Sequence, residues 1–242
     1  MIVLRSKLSL FLCFAVLSTA ILPDRGIFAA EKILVMMPNS GTSDGWKLRG
    51  PKFMSKWILG VAMIDPENPK KLTVVKSDNS AIELANTKKG GVDIYTEQKF
   101  GDCIVGLEVM IPKGSNSGIY LMGQYEVQVA DSYGKKSIKD SAMGGIFGTA
   151  APKTNAAKKP GEWQKFLIEF KAPRFENRKR IAPAEFVKVA LNGEVIHENV
   201  KIEKGPTSGA LKNRELAEGP LMLQGGMGAV AYRNIRISVP GQ

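Results

Sequence analysis

Apolar and polar residues alternate along several short stretches of the chain. Between positions 103 and 111, every second residue from Cys103 to Ile111 is apolar, and Glu108 is among the residues in between. Residues 164–170 repeat this pattern, with phenylalanine or isoleucine at every second position from 166 to 170. A period of two is typical of a β-strand that has one face in the core and the other outside it. Both stretches are therefore predicted to be half-buried strands.

A third alternating stretch, 186–191, ends at a turn signal. Its pattern predicts that Val187 and the apolar residues at every second position after it face inward. Asn192 and Gly193 separate this stretch from the next apolar residues. Asn-Gly suits the two-residue turn of a hairpin, because both turn positions need a positive φ angle. The sequence thus predicts a β-hairpin centred on these two residues.

Further strands are predicted from short apolar stretches bounded by Gly, Pro and Asn. They lie at 56–64, 72–76, 91–96, 118–122, 125–130, 220–224 and 230–239. No long stretch carries a helical apolar stripe, although 82–86 is compatible with one helical turn. About ten short strands with such turns are typical of an all-β, two-sheet sandwich or jelly roll. The least regular segment, 131–160, is long enough that we expect it to be functional or mobile.

The N-terminus has the layout of a secretory signal peptide. Basic residues precede an apolar run, and small residues around Ala20 offer a cleavage site. A second site near Ala30 has a poorer upstream sequence, and an uncleaved anchor is the alternative to cleavage. No second apolar run of membrane-spanning length follows. We therefore expect a signal peptide at 1–30, a single domain at 31–242, and a periplasmic or secreted protein.

The chain is basic, with 34 Lys and Arg residues against 23 Asp and Glu residues and a formal net charge of +11. Such a charge favours anionic partners in general. The lysines, however, occur as scattered pairs in turn-like stretches, and the denser cluster at 174–180 also lies between predicted strands. No recognition helix or row of aromatic residues accompanies this charge. We therefore expect solvated loops and no nucleic-acid partner.

Several kinds of chemistry are disfavoured by the scarcity of histidine and cysteine. His197 is the only histidine and lies in a strand-like stretch, which argues against a two-histidine metal site and a Ser-His-Asp triad. Once the leader is removed, Cys103 is the only cysteine, so no intramolecular disulfide can form. We expect no cofactor. A divalent cation held by carboxylate oxygens is compatible with the sequence, but no spacing requires one.

Polar side chains on predicted strands are the candidates for binding and catalysis. Glu108 lies opposite the apolar set of its strand, whereas Glu126 and Gln128 share one face of the strand at 125–130. Carboxylates and amides offer the directional hydrogen bonds that sugar hydroxyls need. These three side chains are therefore predicted to converge on one concave surface that binds carbohydrate. A solvated outer face with ordinary charge alternation is the alternative interpretation.

Three segments, in order, match the motifs of a known family. They are residues 100–120 with Asn116-Ser117-Gly118, residues 125–132 with Tyr125-Glu126-Val127-Gln128, and residues 219–235 with Leu223-Gln224 and Tyr232-Arg233-Asn234. With these motifs the chain resembles the 3-keto-disaccharide hydrolase domain family over residues 45–237. The resemblance implies a concanavalin-like jelly roll and activity on glycosides that are oxidised at C3.

The chemistry implied by this resemblance is an elimination. A C3 ketone acidifies the hydrogen on C2, so that a base can form an enolate and the C1 glycosidic oxygen can leave. This needs a positioned base, a donor for the enolate oxygen and an acid for the leaving group. Glu126 is our candidate for the base, with Glu108 as a second catalytic carboxylate. The residues expected to bind substrate are Asn116, Gln128, Asp131, Gln224 and Arg233, of which Arg233 is a candidate enolate donor.

Two departures from the family pattern affect these expectations. Gly226 and Met227 stand where the family has Asp and His, and Phe147 replaces a tyrosine. If the family's histidine transfers a proton, this chain is slow or inactive. The sequence therefore leaves three interpretations open: an exported hydrolase or lyase acting on 3-keto-glycosides, a lectin-like carbohydrate-binding module on the same fold, and a structural or interaction domain.

Overall fold

The computed structural model of the protein describes residues 32–35, 45–75 and 83–239. The predicted signal peptide at 1–30 lies outside these residues. Within them, the only helix is a single 3₁₀ turn at Lys52–Met54, and the remaining regular structure is β. None of the described segments forms a helix that is long and apolar enough to cross a membrane.

The described residues form sixteen strands, which are named β1 to β16 in chain order. They are β1 (Lys32–Val35), β2 (Trp46–Arg49), β3 (Trp57–Ile64), β4 (Leu72–Val75), β5 (Glu83–Asn86), β6 (Asp93–Phe100), β7 (Cys103–Met110), β8 (Asn116–Leu121), β9 (Tyr125–Ala130), β10 (Gln164–Lys171), β11 (Arg174–Glu176), β12 (Lys179–Ala182), β13 (Ala184–Leu191), β14 (Glu194–Ile202), β15 (Gly219–Leu223) and β16 (Val230–Val239).

Two sheets face each other across a shared core. The large sheet has nine strands in the order β14-β13-β10-β7-β16-β5-β3-β4, with β1 paired to β16. The small sheet has five strands in the order β2-β6-β15-β8-β9, and β11 and β12 form a separate hairpin. Many neighbours in the sheets are distant in sequence, as they are in a jelly roll. The predicted all-β, two-sheet jelly-roll sandwich is therefore confirmed.

The inward faces of the two sheets supply the core. Val105, Leu107 and Phe166 of the large sheet are almost completely buried, and they form one cluster with Ile119 and Val127 of the small sheet. The alternation in 103–111 and 164–170 thus predicts the inward side chains correctly. Burial of each such side chain stabilises the folded state by about 1.5–3 kcal/mol.

Two local predictions are wrong, each for a structural reason. Val187 is partly exposed and Phe186 is buried instead, because Val187 is an extra residue in the pairing of β13 with β10. Such a β-bulge reverses the alternation of a regular strand. The stretch predicted as a helical turn contains strand β5, which is buried at all four positions. A strand covered on both faces shows no alternation in its sequence.

The connections between strands shape the surroundings of the small sheet. The predicted hairpin is confirmed, since Asn192 and Gly193 have φ angles of 56° and 89° and join β13 to β14. The connection 131–163, between β9 and β10, contains no strand and packs along the β9 edge. The connection 203–218, between β14 and β15, is anchored by hydrogen bonds to the β8–β9 turn. This second connection reaches over the outward face of the small sheet.

Candidate functional site

The outward face of the small sheet carries a row of side chains from five strands. Strand register pairs Lys47 (β2) with Tyr95 (β6), Tyr95 with Met222 (β15), Met222 with Tyr120 (β8), and Tyr120 with Glu126 (β9). Registered partners project from the same face of a sheet, so these five side chains lie next to one another. The row runs from an exposed lysine at one edge to a buried carboxyl group at the other.

A second row, two residues further along each strand, is mostly polar. It contains the registered partners Arg49 and Asp93 and the registered partners Gly118 and Gln128. Gln224 follows β15 and donates its backbone N–H to the carbonyl of Gly118 at 2.9 Å. The candidate site, which we call the polar floor, consists of residues from both rows: Arg49, Asp93, Tyr95, Gly118, Tyr120, Glu126, Gln128 and Gln224.

Glu126 is a carboxyl group that is almost completely buried, with 3% of its surface exposed. Its Oε1 atom lies over Gly118, where any side chain on that residue would collide with it. The pKa of Glu126 is raised to about 7, chiefly by burial; a hydrogen bond with Tyr120 opposes this rise and the charge of Asp93 adds to it. A carboxyl group with such a pKa can take up and release a proton near neutral pH, as general acid–base catalysis requires.

Tyr120 and Gln224 place hydrogen-bonding groups next to Glu126. Gln224 Nε2 donates to Tyr120 Oη at 3.3 Å, and the Tyr120 hydroxyl donates to the Ser208 carbonyl at 3.1 Å. Burial raises the pKa of Tyr120, so its hydroxyl keeps its proton at neutral pH. Gln224 Oε1 is buried and has no hydrogen-bond partner in the described part of the chain. Because a buried acceptor is costly when unpaired, this oxygen is suited to accept a hydrogen bond from a ligand.

Asp93 and Arg49 form the charged end of the polar floor. Asp93 Oδ1 accepts a hydrogen bond from Gly225 N at 3.0 Å, and Asp93 Oδ2 lies 3.3 Å from Arg49 Nη1. The Arg49 guanidinium also donates to the carbonyl oxygens of Gly209 and Ala210. The side chain of Asp93 is 17% exposed and that of Arg49 is 36% exposed. This end of the floor is therefore accessible to solvent, whereas Glu126 lies deeper.

These groups can bind a polyhydroxylated ligand and move a proton on it. Amide and carboxylate oxygens match sugar hydroxyls. A carboxyl group that titrates near neutral pH, next to a hydroxyl that stays protonated, supplies a base and a hydrogen-bond donor in one place. Among residues 45–75 and 83–239, no three His, Cys, Asp or Glu side chains are grouped so that they could hold a metal ion.

Most of the predicted site residues lie on or next to the small sheet. Glu126, Gln128 and Gln224 come together in the polar floor, Asn116 projects from the same face of β8, and Asp131 follows β9. Two of them also hold backbone atoms in place. Asp131 Oδ2 accepts a hydrogen bond from Gly114 N at 2.8 Å, and Gln128 Nε2 donates one to Ser117 O at 2.9 Å.

Glu108 and Arg233 lie on the other side of the molecule, so the prediction that Glu108 converges with Glu126 and Gln128 is wrong. Both residues belong to the large sheet, in β7 and β16. Arg233 Nε donates to Glu108 Oε2 at 2.8 Å, and Arg233 Nη1 lies 3.4 Å from Glu83 Oε1. The guanidinium also stacks 4.0 Å over the ring of Trp163. The outward faces of two stacked sheets point in opposite directions, and neither residue can reach the polar floor.

Arg49, Asp93, Tyr95 and Tyr120 belong to the polar floor but escape the sequence analysis. Tyr120 carries a usable signal, because it lies two residues after Gly118 and therefore on the same face of β8. Arg49 and Asp93 carry no such signal in the sequence, since they come together only through the pairing of β2 with β6.

The lone histidine and the lone cysteine of the described residues lie outside the polar floor. His197 is buried in β14 with its Nε2 atom 2.9 Å from Gly144 O, and burial lowers its pKa. Cys103 is buried in β7, and burial raises the pKa of its thiol to about 12. A thiol with such a pKa is not a nucleophile at neutral pH. Both residues therefore have the environment of core side chains.

Two crystal structures of proteins from Parabacteroides distasonis ATCC 8503, each described as a candidate glycosyl hydrolase, are similar to this chain. One has a TM-score of 0.61 and 24% identity, covering 85% of this chain and 82% of its own. The other has a TM-score of 0.55 and 16% identity, covering 84% and 91%. At these identities the similarity shows the fold alone. No curated protein matches the sequence.

A family model matches most of the sequence, and it agrees with the resemblance carried by the motifs around Gly118, Glu126 and Gln224. The match covers residues 35–238, which include every strand of both sheets apart from the first residues of β1 and the last residue of β16. The chain belongs to the family of 3-keto-alpha-glucoside-1,2-lyase-like domains, and thus to the carbohydrate-cleaving hydrolases and lyases in general.

Proposed function

We propose that the protein cleaves glycosides oxidised at C3, by removing the C2 proton and eliminating the C1 substituent at the polar floor. The observation that carries this proposal is Glu126, a buried carboxyl group with a pKa of about 7 beside the protonated hydroxyl of Tyr120. Family membership supplies the sugar chemistry. We further propose that the protein works outside the cytoplasm, on the basis of the predicted leader at 1–30.

The elimination can be written with the groups of the polar floor. Glu126 takes the proton from C2, and the C–H electron pair forms the enolate, with negative charge on the C3 oxygen. Gln224 Nε2 carries a hydrogen-bond donor suited to that oxygen, and the Tyr120 hydroxyl supplies a second one when it turns from Ser208 O to the substrate. The nearby Arg49 cation stabilises the charge. When the C3 carbonyl re-forms, a C1–C2 double bond forms and the C1–O bond breaks. The proton held by Glu126 is then available to the leaving oxygen.

The pH dependence distinguishes a base from an acid at Glu126. A base must be deprotonated in the free enzyme, so kcat/KM should rise with pH and level off above an apparent pKa near 7. If Glu126 instead acted as an essential acid, kcat/KM should fall as pH rises through the same apparent pKa. A pH profile of the wild-type protein therefore tests the role as well as the residue.

The direct experiment is to incubate the purified protein with 4-nitrophenyl 3-keto-glucoside and measure release of nitrophenol. Glu126→Gln should lower kcat by about 10²–10⁴-fold, the usual contribution of a positioned acid or base. Glu108→Gln is the matched control, because Glu108 is also a strand carboxylate on an outward face, but on the large sheet. No release by the wild-type protein, or equal loss in both variants, would contradict the proposal.

A lectin-like binding module is the second candidate, and two observations favour it. Gly226 and Met227 replace the Asp and His of the family pattern, and Glu126 is only 3% exposed. In that case the wild-type protein should bind 3-keto-glucoside or glucoside saturably without releasing the aglycone. Calorimetry on the same sample as the turnover assay separates the two functions.

A further inference from the structure

A cavity opens next to the polar floor, on the same face of the small sheet. It has a volume of about 280 Å³, and its lining includes Tyr95, Met122, Pro220, Leu211 and Leu216. Tyr95, Met122 and Pro220 belong to the small sheet or its β8–β9 turn, whereas the two leucines come from the connection 203–218. The rim carries lysines and glutamates, with Lys47 paired to Glu97 at 3.2 Å. Because the rim carries both positive and negative side chains, it does not favour a ligand of one charge. The apolar lining is therefore the feature that selects a ligand for this cavity.

Tyr95 belongs to both the cavity and the polar floor. It lies in the same cross-strand row as Tyr120, two strands away with Met222 between them. Neighbouring strands are about 4.8 Å apart, which places the two tyrosine backbones about 10 Å apart. A sugar ring and an aromatic ring joined by one oxygen span about this length. A glycoside bound with its sugar at Tyr120 and Gln224 would therefore place its leaving group at Tyr95.

The tip of the connection 203–218, residues Ser208–Ala210, lies over the polar floor and next to the cavity. Met222 is fully buried, and the tip is hydrogen-bonded to residues on either side of it: Tyr120 donates to Ser208 O, and Arg49 donates to Gly209 O and Ala210 O. The base of the connection is held separately by Gln124, whose side chain bonds to Lys212 O at 3.1 Å and to Arg214 O. Because the residues that flank the tip are anchored independently, with Thr207 N donating to Gln124 O and Leu211 N donating to Gly123 O, a movement of Ser208–Ala210 alone would connect the cavity to the polar floor.

We propose that the cavity at Tyr95 is the leaving-group subsite and that it takes a planar aromatic aglycone, with the tip at Ser208–Ala210 lifting to join it to the polar floor. This inference rests on the proposed function. An aromatic ring suits the site because Tyr95 offers a ring to stack against and the leucines and Met122 offer apolar contacts. When the C1–O bond breaks, the electron pair stays on the phenolic oxygen, which then takes up the C2 proton held by Glu126.

Binding of a free aromatic alcohol tests the subsite without any catalysis. Titration of the protein with 2-naphthol, followed by calorimetry or NMR, should show one weak site. Tyr95→Ala should weaken that binding by at least about fivefold, since a good aromatic pair contributes about 0.5–1.5 kcal/mol beyond its buried area. Tyr133→Ala is the control, because Tyr133 is exposed on the irregular connection 131–163. Leu216→Trp, which fills the cavity from the opposite wall, should block the site if Tyr95→Ala does not fold.

Turnover then separates this inference from the proposed function. Leu216→Trp, which fills the cavity without touching a residue of the polar floor, should raise KM at least about fivefold for an aryl 3-keto-glucoside and leave KM for the methyl 3-keto-glucoside unchanged. For each substrate, KM of the variant is compared with KM of the wild-type protein, so that differences in reactivity between the two leaving groups cancel. Equal KM changes for both substrates, with normal turnover, would overturn the subsite and leave the function intact. Naphthol binding that depends on Tyr95, without turnover of either substrate, would support the subsite as an aromatic site and reject the elimination.

Discussion

The Glu126 carboxylate occupies the space that a side chain on Gly118 would fill. The two residues lie on neighbouring strands of the small sheet, and a Cβ atom on Gly118 would overlap Glu126 Oε1 and lie 2.9 Å from Tyr120 Cε2. A glycine at this position is therefore what allows the carboxyl group to lie flat on the sheet beside the tyrosine. The Asn-Ser-Gly and Tyr-Glu-x-Gln motifs of the sequence are thus parts of one structure.

Gly118→Ala should displace Glu126 and weaken the protein. We expect a loss of about 1–3 kcal/mol in the free energy of unfolding, typical of overpacking, together with a large loss of turnover. Gly106→Ala is the control, because a Cβ atom on Gly106 in β7 meets no atom within 4 Å. Urea denaturation of both variants measures the difference. Equal stability of the two variants would show that Glu126 has room to move and that Gly118 does not fix it.

The raised pKa of Glu126 predicts a specific pH dependence of stability. Its pKa in the folded protein is about 7 against an ordinary value of 4.5, so between these values the folded state holds a proton that the unfolded chain has lost. Stability should therefore fall as pH rises through this window and level off above about pH 7. Relative to Glu126→Gln, the wild-type protein should lose about 2.5 kcal/mol between pH 5 and pH 8.

The measurement is a pair of urea denaturation series, because all other groups titrate alike in the two proteins and cancel in the difference. A difference that does not change with pH would mean that Glu126 has an ordinary pKa. The base role in the proposed elimination would then lose its main support, although the fold and the family would be unaffected.

Sequence alternation identifies most inward side chains because it is a local property of a strand. It cannot distinguish Glu108 from Glu126, since each alternates with apolar residues in the same way. Which outward face each residue occupies depends on pairing over long sequence distances: β7 lies between β10 and β16, whereas β9 pairs with β8. The same limit explains Arg49 and Asp93, which meet because β2 lies beside β6. The bulge at Val187 is missed because one extra residue leaves no mark in composition.

Arg233 is predicted to stabilise the large sheet and not to take part in cleavage. Its guanidinium lies between Glu108 and Glu83, and the Glu83 side chain is only 5% exposed. Arg233→Ala would leave a buried carboxylate without its partner, which typically costs about 3–5 kcal/mol. Arg236→Ala, on the same strand but exposed, should have little effect. Melting curves test stability, and a fall in turnover of folded Arg233→Ala would contradict the assignment.

The loop after β15 offers a way to test what the departure at Gly226 and Met227 means. It starts at the polar floor, because Gly225 N donates to Asp93 Oδ1 at 3.0 Å. A side chain can be added at Gly226, since a Cβ atom there meets only Gly91 O, at 3.5 Å. Met227 is 50% exposed, so its replacement does not open a cavity in the core. The double change Gly226→Asp, Met227→His should therefore fold.

If the family's histidine transfers a proton, this double variant should turn over 3-keto-glucoside at least about tenfold faster than the wild-type protein, a modest part of the usual contribution of a positioned acid or base. Substrate affinity should change little, because Gln128 and Gln224, which are expected to bind the sugar, are unchanged. Adding Glu126→Gln to the variant should abolish the gain, because the imidazole would then lack the base that starts the reaction. Unchanged turnover with a lowered melting temperature would instead mean that Met227 only packs against the loop, and would favour the binding module over the enzyme.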